Sequence, residues 1–349
     1  MLKYQFEPPL KLNPNLPLAE KLRKLGIRHY DELIHDQAKE WLIEHFGKDA
    51  TNYPINVSLL FRNIIWQTRE RIKKGELPPV KELIRTFWYL YIKPTLSRVG
   101  ALSHSVDQYA QIIDTFVFMV KDWQLMEYKD IGFRDDNLTN RKVGDNANII
   151  LFAEKAGHQD FLMEIFDQYQ VSILALGGQP SVLNVEYFVD DLKKQKVDIR
   201  RSFYLFSIVD YDPSGWIIRD AFLDDLRHYG VKNTQVIDLI HPDALSPDEV
   251  NLAKYRIPDT ETMRVKNDTW LKAVHKRDYT NQKYLEEINS AGKKILSGLE
   301  AESVSGKRLT AALETLMVPL LGKTEDVLKI IQLKKLNEAI KQLIIHKVT

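Results

Sequence analysis

Phe203-Tyr-Leu-Phe-Ser-Ile-Val-Asp210-Tyr-Asp212-Pro-Ser-Gly215 is the stretch on which the fold turns. An apolar, β-branched and aromatic run ends in two aspartates one residue apart, followed by Pro213 and Gly215. So short a run, bounded by turn formers, suits a buried parallel strand better than a helix. Open α/β sheets place their chemistry in the crevice at the carboxyl ends of such strands. Two like charges this close are costly unless something positive sits between them. Clustered carboxylate oxygens are how proteins hold Mg²⁺. Asp-x-Asp alone also fits a solvated turn closed by Pro and Gly.

The strands expected around it follow one rhythm. Asn148-Ile-Ile-Leu-Phe-Ala-Glu154-Lys155-Ala-Gly157 is an apolar strand ending in a glutamate and a glycine, with a helical pattern over His158–Tyr169. Val171-Ser-Ile-Leu-Ala-Leu is a second strand, ending in Gly177-Gly178-Gln179-Pro180, with a helix over Ser181–Lys194. After the third strand, Ser202–Val209, comes a helical stretch at Trp216–Tyr229, and Val236–Ile240 reads as one more strand. Such alternation with short loops predicts a parallel sheet covered by helices. Its strand ends share one edge, which brings Glu154, the Gly-Gly-Gln-Pro turn and the two aspartates together.

Upstream the pattern is helical. Residues 1–55 read as a Pro- and Asn-rich lead (Pro8, Pro9, Pro14, Pro17) and a helical extension over Leu18–Lys24 and Tyr30–Phe46. Residues 56–145 hold a helix over Asn56–Lys73, a break at Gly75–Pro79, and a helix from Val80 to Ile92 that Pro94 stops. A further helix over Ser105–Leu125 and a short extended stretch, Gln124–Asp136, complete the order of a winged-helix module. Arg85 and Tyr89 lie four apart and share a helix face, which lets the guanidinium approach the phenol. Aromatics on a helix are more often packing groups than functional ones, and that reading takes Phe87 and Trp88. Residues 146–264 form the sheet region, and 265–349 read as a helical C-terminal region, amphipathic over Thr269–Leu296 and Leu309–Lys347.

Composition bounds the rest. A chain of 349 residues is long for one core, so two domains with appendages are expected. No apolar run approaches the roughly 20 residues of a membrane span, and the first residues carry no secretory apolar segment. The chain has no cysteine, which excludes disulfides and thiolate metal sites and fits a cytoplasmic protein. A net charge of +1 makes no overall case for nucleic acid, but the charge is uneven. Residues 51–100 carry nine Lys/Arg and three acidic groups, whereas 150–232 carry thirteen acidic and nine basic ones. A basic module beside an acidic one points to a phosphate-binding surface next to a cation site. His158 and His228 have no partner at metal-ligand spacing, and there is no Gly-rich phosphate loop.

Glutamate at one strand end, then Asp-x-Asp-Pro-x-Gly on another, resembles the toprim fold. More narrowly, residues 149–230 resemble the toprim domain of the topoisomerase VI A subunit family, which includes the meiotic double-strand-break transesterase. Glu154-Lys-x-Gly157 is similar to that family's strand-end glutamate, and Leu176-Gly-Gly-Gln-Pro-Ser to its Gly-Lys-Gly-Tyr-Pro-Asp turn. Asp210-Tyr-Asp212-Pro-Ser-Gly is similar to its paired aspartates, and Arg85-Thr-Phe-Trp-Tyr89 to its Arg-Asp-x-Tyr-Tyr. The resemblance spans roughly residues 75–240. It departs at Asn184-Val-Glu186, where the family carries threonine and arginine, and at Trp88, where it carries tyrosine. Tyr91, two residues on, competes with Tyr89 for the register.

The resemblance implies Mg²⁺ held by Glu154, Asp210 and Asp212, with Glu154 also able to act as general acid or base. It implies Tyr89 as nucleophile, Arg85 as its cationic neighbour, and a reversible 5′-phosphotyrosyl link to double-stranded DNA. It further implies a homodimer and a separate ATPase subunit of the GHKL type. Two rivals stay open. One is a toprim nuclease that uses water, as in SMC-associated anti-plasmid defence systems with an SMC-like ATPase partner. The other is a DNA-binding structural subunit without cleavage.

Overall fold

The computed structural model describes residues 16–48, 54–102, 108–178, 181–290, 292, 294–321 and 336. Pro8, Pro9, Pro14, Gln179, Pro180, the start of the helix expected at Ser105 and the helical pattern after Leu321 lie outside the described residues. The chain divides into two compact units, 1–136 and 137–349.

The first unit is helical: α1 (Leu18–Lys24), α2 (Lys39–Phe46), α3 (Val57–Lys73), α4 (Ile84–Phe87), α5 (Lys93–Arg98) and α6 (Tyr109–Val117). α3 starts where Asn56 accepts a hydrogen bond from the Leu59 amide at 3.0 Å, a side-chain N-cap. It buries Leu60, Phe61, Ile64 and Ile65, and Trp88 meets Phe61 edge-on at 5.5 Å. The helix also anchors the N-terminal segment through polar groups. Asn63 donates to the Gly26 carbonyl and accepts from the Arg28 amide, and Gln67 accepts from the Ile34 amide. The segment from Tyr30 to Phe46 is a single 3₁₀ turn (Ile34–Asp36) followed by α2, rather than one long helix.

Two expectations for this unit change. Helical backbone continues past Pro94, because Trp88–Ile92 forms a π turn and Pro94 then falls in the first turn of α5. At that position its missing N–H costs nothing. Gln124–Asp136 holds a 3₁₀ turn, Tyr128–Asp130, and no strand occurs among the described residues of the unit. Three backbone hydrogen bonds nevertheless tie the segment before α4 to the segment after this turn: Val80 to Ile131, Lys81 to Gly132 and Arg134 to Glu82.

The second unit is mixed α/β. Its five-stranded sheet has the order β1-β3-β2-β4-β5, from β1 (Arg141–Lys142), β2 (Asn146–Ala153), β3 (Val171–Ala175), β4 (Phe203–Ile208) and β5 (Thr234–Asp238). Only β1 runs antiparallel to its neighbour. α7 (Gln159–Tyr169), α8 (Val182–Lys194) and α9 (Pro213–His228) connect the parallel strands. Both faces are covered, which explains the continuous apolar runs. Leu151 and Phe206 join a core with Leu162 and Ile165 of α7, while Phe152 packs on Phe222 of α9 with ring centroids 4.7 Å apart. The register sets Ala153 opposite both Ala175 and Ile208, so β2, β3 and β4 end level.

The remaining elements are α10 (Pro247–Ala253), β6 (Lys254–Arg256), α11 (Glu261–His275), β7 (Glu286–Ile288), β8 (Lys294–Leu299) and α12 (Gly306–Met317). A helical C-terminal region therefore holds only in part. Part of the stretch expected as a helix over Thr269–Leu296 is sheet, with β8 paired antiparallel to both β6 and β7. Pairing on both edges overrides the weak helical period of so short an apolar run. Removing a core side chain tests the described packing. Phe206→Ala is expected to cost about 3–5 kcal/mol, read as a lower urea midpoint at unchanged slope.

Candidate functional site

The level ends of β2 and β4 decide where the first acidic groups stand. Glu154 follows β2, donates its backbone amide to the Ile208 carbonyl, and accepts from the Gly178 amide on its own carbonyl. Gly177 and Gly178 have φ of +68° and +109°, values at which side chains are strained. The Glu154 Oε2 lies 3.4 Å from the backbone nitrogen of Asp210, which donates to it. Asp210 leaves β4 and accepts on Oδ1 from the Ala301 amide at 2.7 Å. Asp212 is the N-cap of α9, accepting from the Gly215 amide at 2.6 Å, and its second oxygen accepts from the Tyr255 hydroxyl at 2.8 Å.

Tyr211, between the aspartates, is fully buried and pairs with the end of β8. Its amide donates to the Leu299 carbonyl at 2.8 Å, and the Leu299 amide returns to Tyr211 at 3.2 Å. Its hydroxyl donates to Gln282. Two glycines allow this corner, Gly215 the tight turn and Gly298 the pairing. A Cβ on Gly215 would stand 2.2 Å from the Asp210 carbonyl oxygen, and one on Gly298 would stand 2.9 Å from that of Tyr211. The bridge brings in two acidic groups that sequence reasoning missed. Glu300 and Glu302 follow β8, and with Asp210 they form a group whose ligand oxygens all lie within 4.8 Å of one another. These three carboxylates can hold a metal ion. The signal was present in Leu299-Glu300-Ala-Glu302, a second alternating acidic pair after an apolar run, hidden by the helical reading of that region. Lys155 and Tyr255 were missed as well.

Of the residues expected to ligate, then, Asp210 stands in the cluster, and Glu154 touches it through the Asp210 amide. Asp212 lies two residues on, with both oxygens engaged by Gly215 and Tyr255. Burial, and next the Asp210 charge, push the Glu154 carboxyl above its usual range. Asp210 is also raised, by burial above all, with the Ala301 amide and Lys155 pulling the other way. Burial and the Asp212 carboxylate push the Tyr255 phenol far up, so it stays a donor. His158 lies within the field of Glu302, Lys155 and Asp210, and burial lowers its pKa.

Tyr89 belongs to the first unit. It stands in the π turn, half-buried, its ring stacked on Tyr109 with centroids 6.1 Å apart. The Arg85 guanidinium carbon is 5.7 Å from the Tyr89 ring centroid and the Lys93 Nζ is 4.9 Å from it. Single-turn π segments of this kind recur at functional sites. Tyr91 is half-exposed, its carbonyl accepting from the Thr95 hydroxyl. Compared with known protein families and curated proteins, the chain matches no family model and no curated sequence.

A carboxyl raised by folding binds its proton more tightly in the folded chain, so stability falls as pH climbs past the ordinary carboxylate range of about 4. Glu154→Gln is expected to raise the melting temperature of cation-free protein by about 2–4 °C at pH 8. The gain should shrink toward nothing near pH 4. A variant that melts lower than wild type at pH 8 would contradict the strained-carboxyl account.

Proposed function

We propose that the chain is a DNA-cleaving subunit resembling the topoisomerase VI A subunit, acting by tyrosine transesterification at a Mg²⁺ site on a toprim-like sheet. The observation that carries the proposal is the meeting of Glu154 and Asp210. They come from neighbouring parallel strands, touch at the carboxyl edge, and are both held back from ionising by burial. A divalent cation relieves that strain. The donor set fits it, since every candidate ligand is a carboxylate oxygen, the chemistry Mg²⁺ prefers. The site also tolerates positive charge, because the Lys155 ammonium already lies against Asp210, Glu300 and Glu302. Glu154, Asp210 and Asp212 would hold the ion. When bound, Mg²⁺ supplies charge neutralisation at the scissile phosphate and the leaving oxygen.

The chain's own residues supply the rest. The Tyr89 oxygen attacks phosphorus, the 3′-oxygen leaves, and the 5′-phosphate stays on the tyrosine as a resealable ester. Arg85 and Lys93, both over the Tyr89 ring, are the cations that stand beside the attacking group. Glu154, whose carboxyl burial and the Asp210 charge raise above its usual range, is the group placed to exchange a proton with the 3′-oxygen whenever it is not holding the ion. The helices between residues 57 and 117, with the backbone hydrogen bonds joining 80–82 to 131–134, support a winged-helix reading of the DNA-binding part. The resemblance to that family carries the homodimer, in which one copy's tyrosine acts at the other copy's cation site. A separate GHKL-type ATPase subunit completes the proposed complex.

Hydrolysis by water is the second reading, favoured by the stacking of Tyr89 on Tyr109, a packing role that needs no nucleophile. An SMC-like ATPase would then be the partner. Incubation with supercoiled plasmid and Mg²⁺, followed by denaturation with and without protease, separates the two. Wild type is expected to leave protein on the 5′ ends, Tyr89→Phe to bind DNA without trapping it, and Asp210→Asn to lose cleavage at least ~100-fold. Cut DNA with free 5′ ends selects the hydrolytic reading, and trapping that survives Tyr89→Phe rules that tyrosine out.

A further inference from the structure

Lys155 is the residue that the proposed chemistry leaves without a task. Its Nζ lies 2.9 Å from Oε2 of Glu300, 2.9 Å from Oε2 of Glu302 and 3.3 Å from Oδ2 of Asp210. A lysine ammonium has three donors and no acceptor, so these three carboxylates account for all of them. The partners are far apart in sequence: Lys155 and Asp210 follow neighbouring strands of the large sheet, and Glu300 and Glu302 follow β8 of the small one. Without a positive charge among them, carboxylate oxygens within 4.8 Å of one another would repel strongly. Burial alone would lower the Lys155 pKa, but the hydrogen bonds to Glu302 and Glu300 and the Asp210 charge override it and hold it well above its usual value. An ordinary lysine is charged throughout the neutral range, and the three contacts alone make this one the cation of the group.

We propose that Lys155 is the resident counter-cation of this site, seated on the Asp210 oxygen that a divalent cation has to take. Cation binding then requires the ammonium to release Asp210, while Glu300 and Glu302 retain it beside the site. Glu300 and Glu302 thus act as a berth for the displaced lysine, and Lys155 sets the cation concentration at which the site fills. The inference rests on the reading of Asp210 as a metal carboxylate and adds to it the competitor that the cation meets. Lys155 is a positioning residue here, since it acts through Asp210.

The test is titration calorimetry of the full-length chain with Mn²⁺ alone, without DNA, on wild type, Lys155→Met and Lys155→Arg. Methionine keeps the stem and removes the charge, so Lys155→Met is expected to bind Mn²⁺ roughly tenfold more tightly, a displaced ion pair's worth. Lys155→Arg, which keeps the charge, is expected to bind no more tightly than wild type. A second reading needs no variant: acetylation of Lys155 by an amine-reactive reagent, followed by mass spectrometry, should run several-fold faster with saturating Mn²⁺. Equal or weaker Mn²⁺ binding by Lys155→Met overturns the inference and leaves the metal reading standing, as does Mn²⁺ binding to wild type that leaves Lys155 acetylation unchanged. Absence of Mn²⁺ binding to every form overturns both.

Discussion

The backbone bridge between Tyr211 and Leu299 governs the acidic edge of this protein. Asp-Tyr-Asp is one link in the chain that leaves β4, and β8 is a strand of a different, antiparallel sheet. Two hydrogen bonds join them, and the joint needs Gly298, where a Cβ would stand 2.9 Å from the Tyr211 carbonyl oxygen. With the joint made, Ala301 can donate to Asp210, Tyr255 of β6 can donate to Asp212, and Glu300 and Glu302 arrive beside them. Buried Tyr211 and its bond to Gln282 fix the same joint from the inside. The site is thus a property of two sheets rather than of one turn.

That arrangement concentrates negative charge, and the rest of the site reads as ways of tolerating it. Backbone amides of Ala301 and Gly215 each satisfy one aspartate oxygen. Lys155 spans three carboxylates. What these do not compensate stays on Glu154 and Asp210 as a reluctance to ionise. Native structures keep such strain where it serves a ligand. Elsewhere in the unit, Arg219 meets Asp238 at 2.8 Å with both buried, and Arg141 meets Asp191 at 2.8 Å.

The sequence disclosed the parallel strands because each is a short apolar run closed by turn residues, and a strand buried on both faces needs no alternation. From the strands, the level ends followed, and with them the neighbourhood of Glu154 and Asp210. β8 was not legible. Ile295-Leu-Ser-Gly-Leu299 is too short to distinguish strand from helix, and its pairing partners, β6 and β7, lie on separate segments. Glu300 and Glu302 were lost with it. Pro94 misled for a different reason, since a π turn resets the helix and turns a stop signal into a starting one. The Arg85–Tyr89 pairing was legible from its spacing, whereas the stack on Tyr109 was not, because it comes from a helix further along the chain.

The carboxyl edge of the large sheet, as proposed above, is a divalent-cation site held in waiting by Lys155. Crystals grown without divalent cation and then soaked in Mn²⁺ test it most directly, by anomalous scattering at the manganese edge. The expected result is a peak among the carboxylates of Glu154, Asp210 and Asp212, with Lys155 withdrawn from Asp210 and still bonded to Glu300 and Glu302. An edge without a peak, with the ammonium still seated on Asp210 at saturating Mn²⁺, would contradict it.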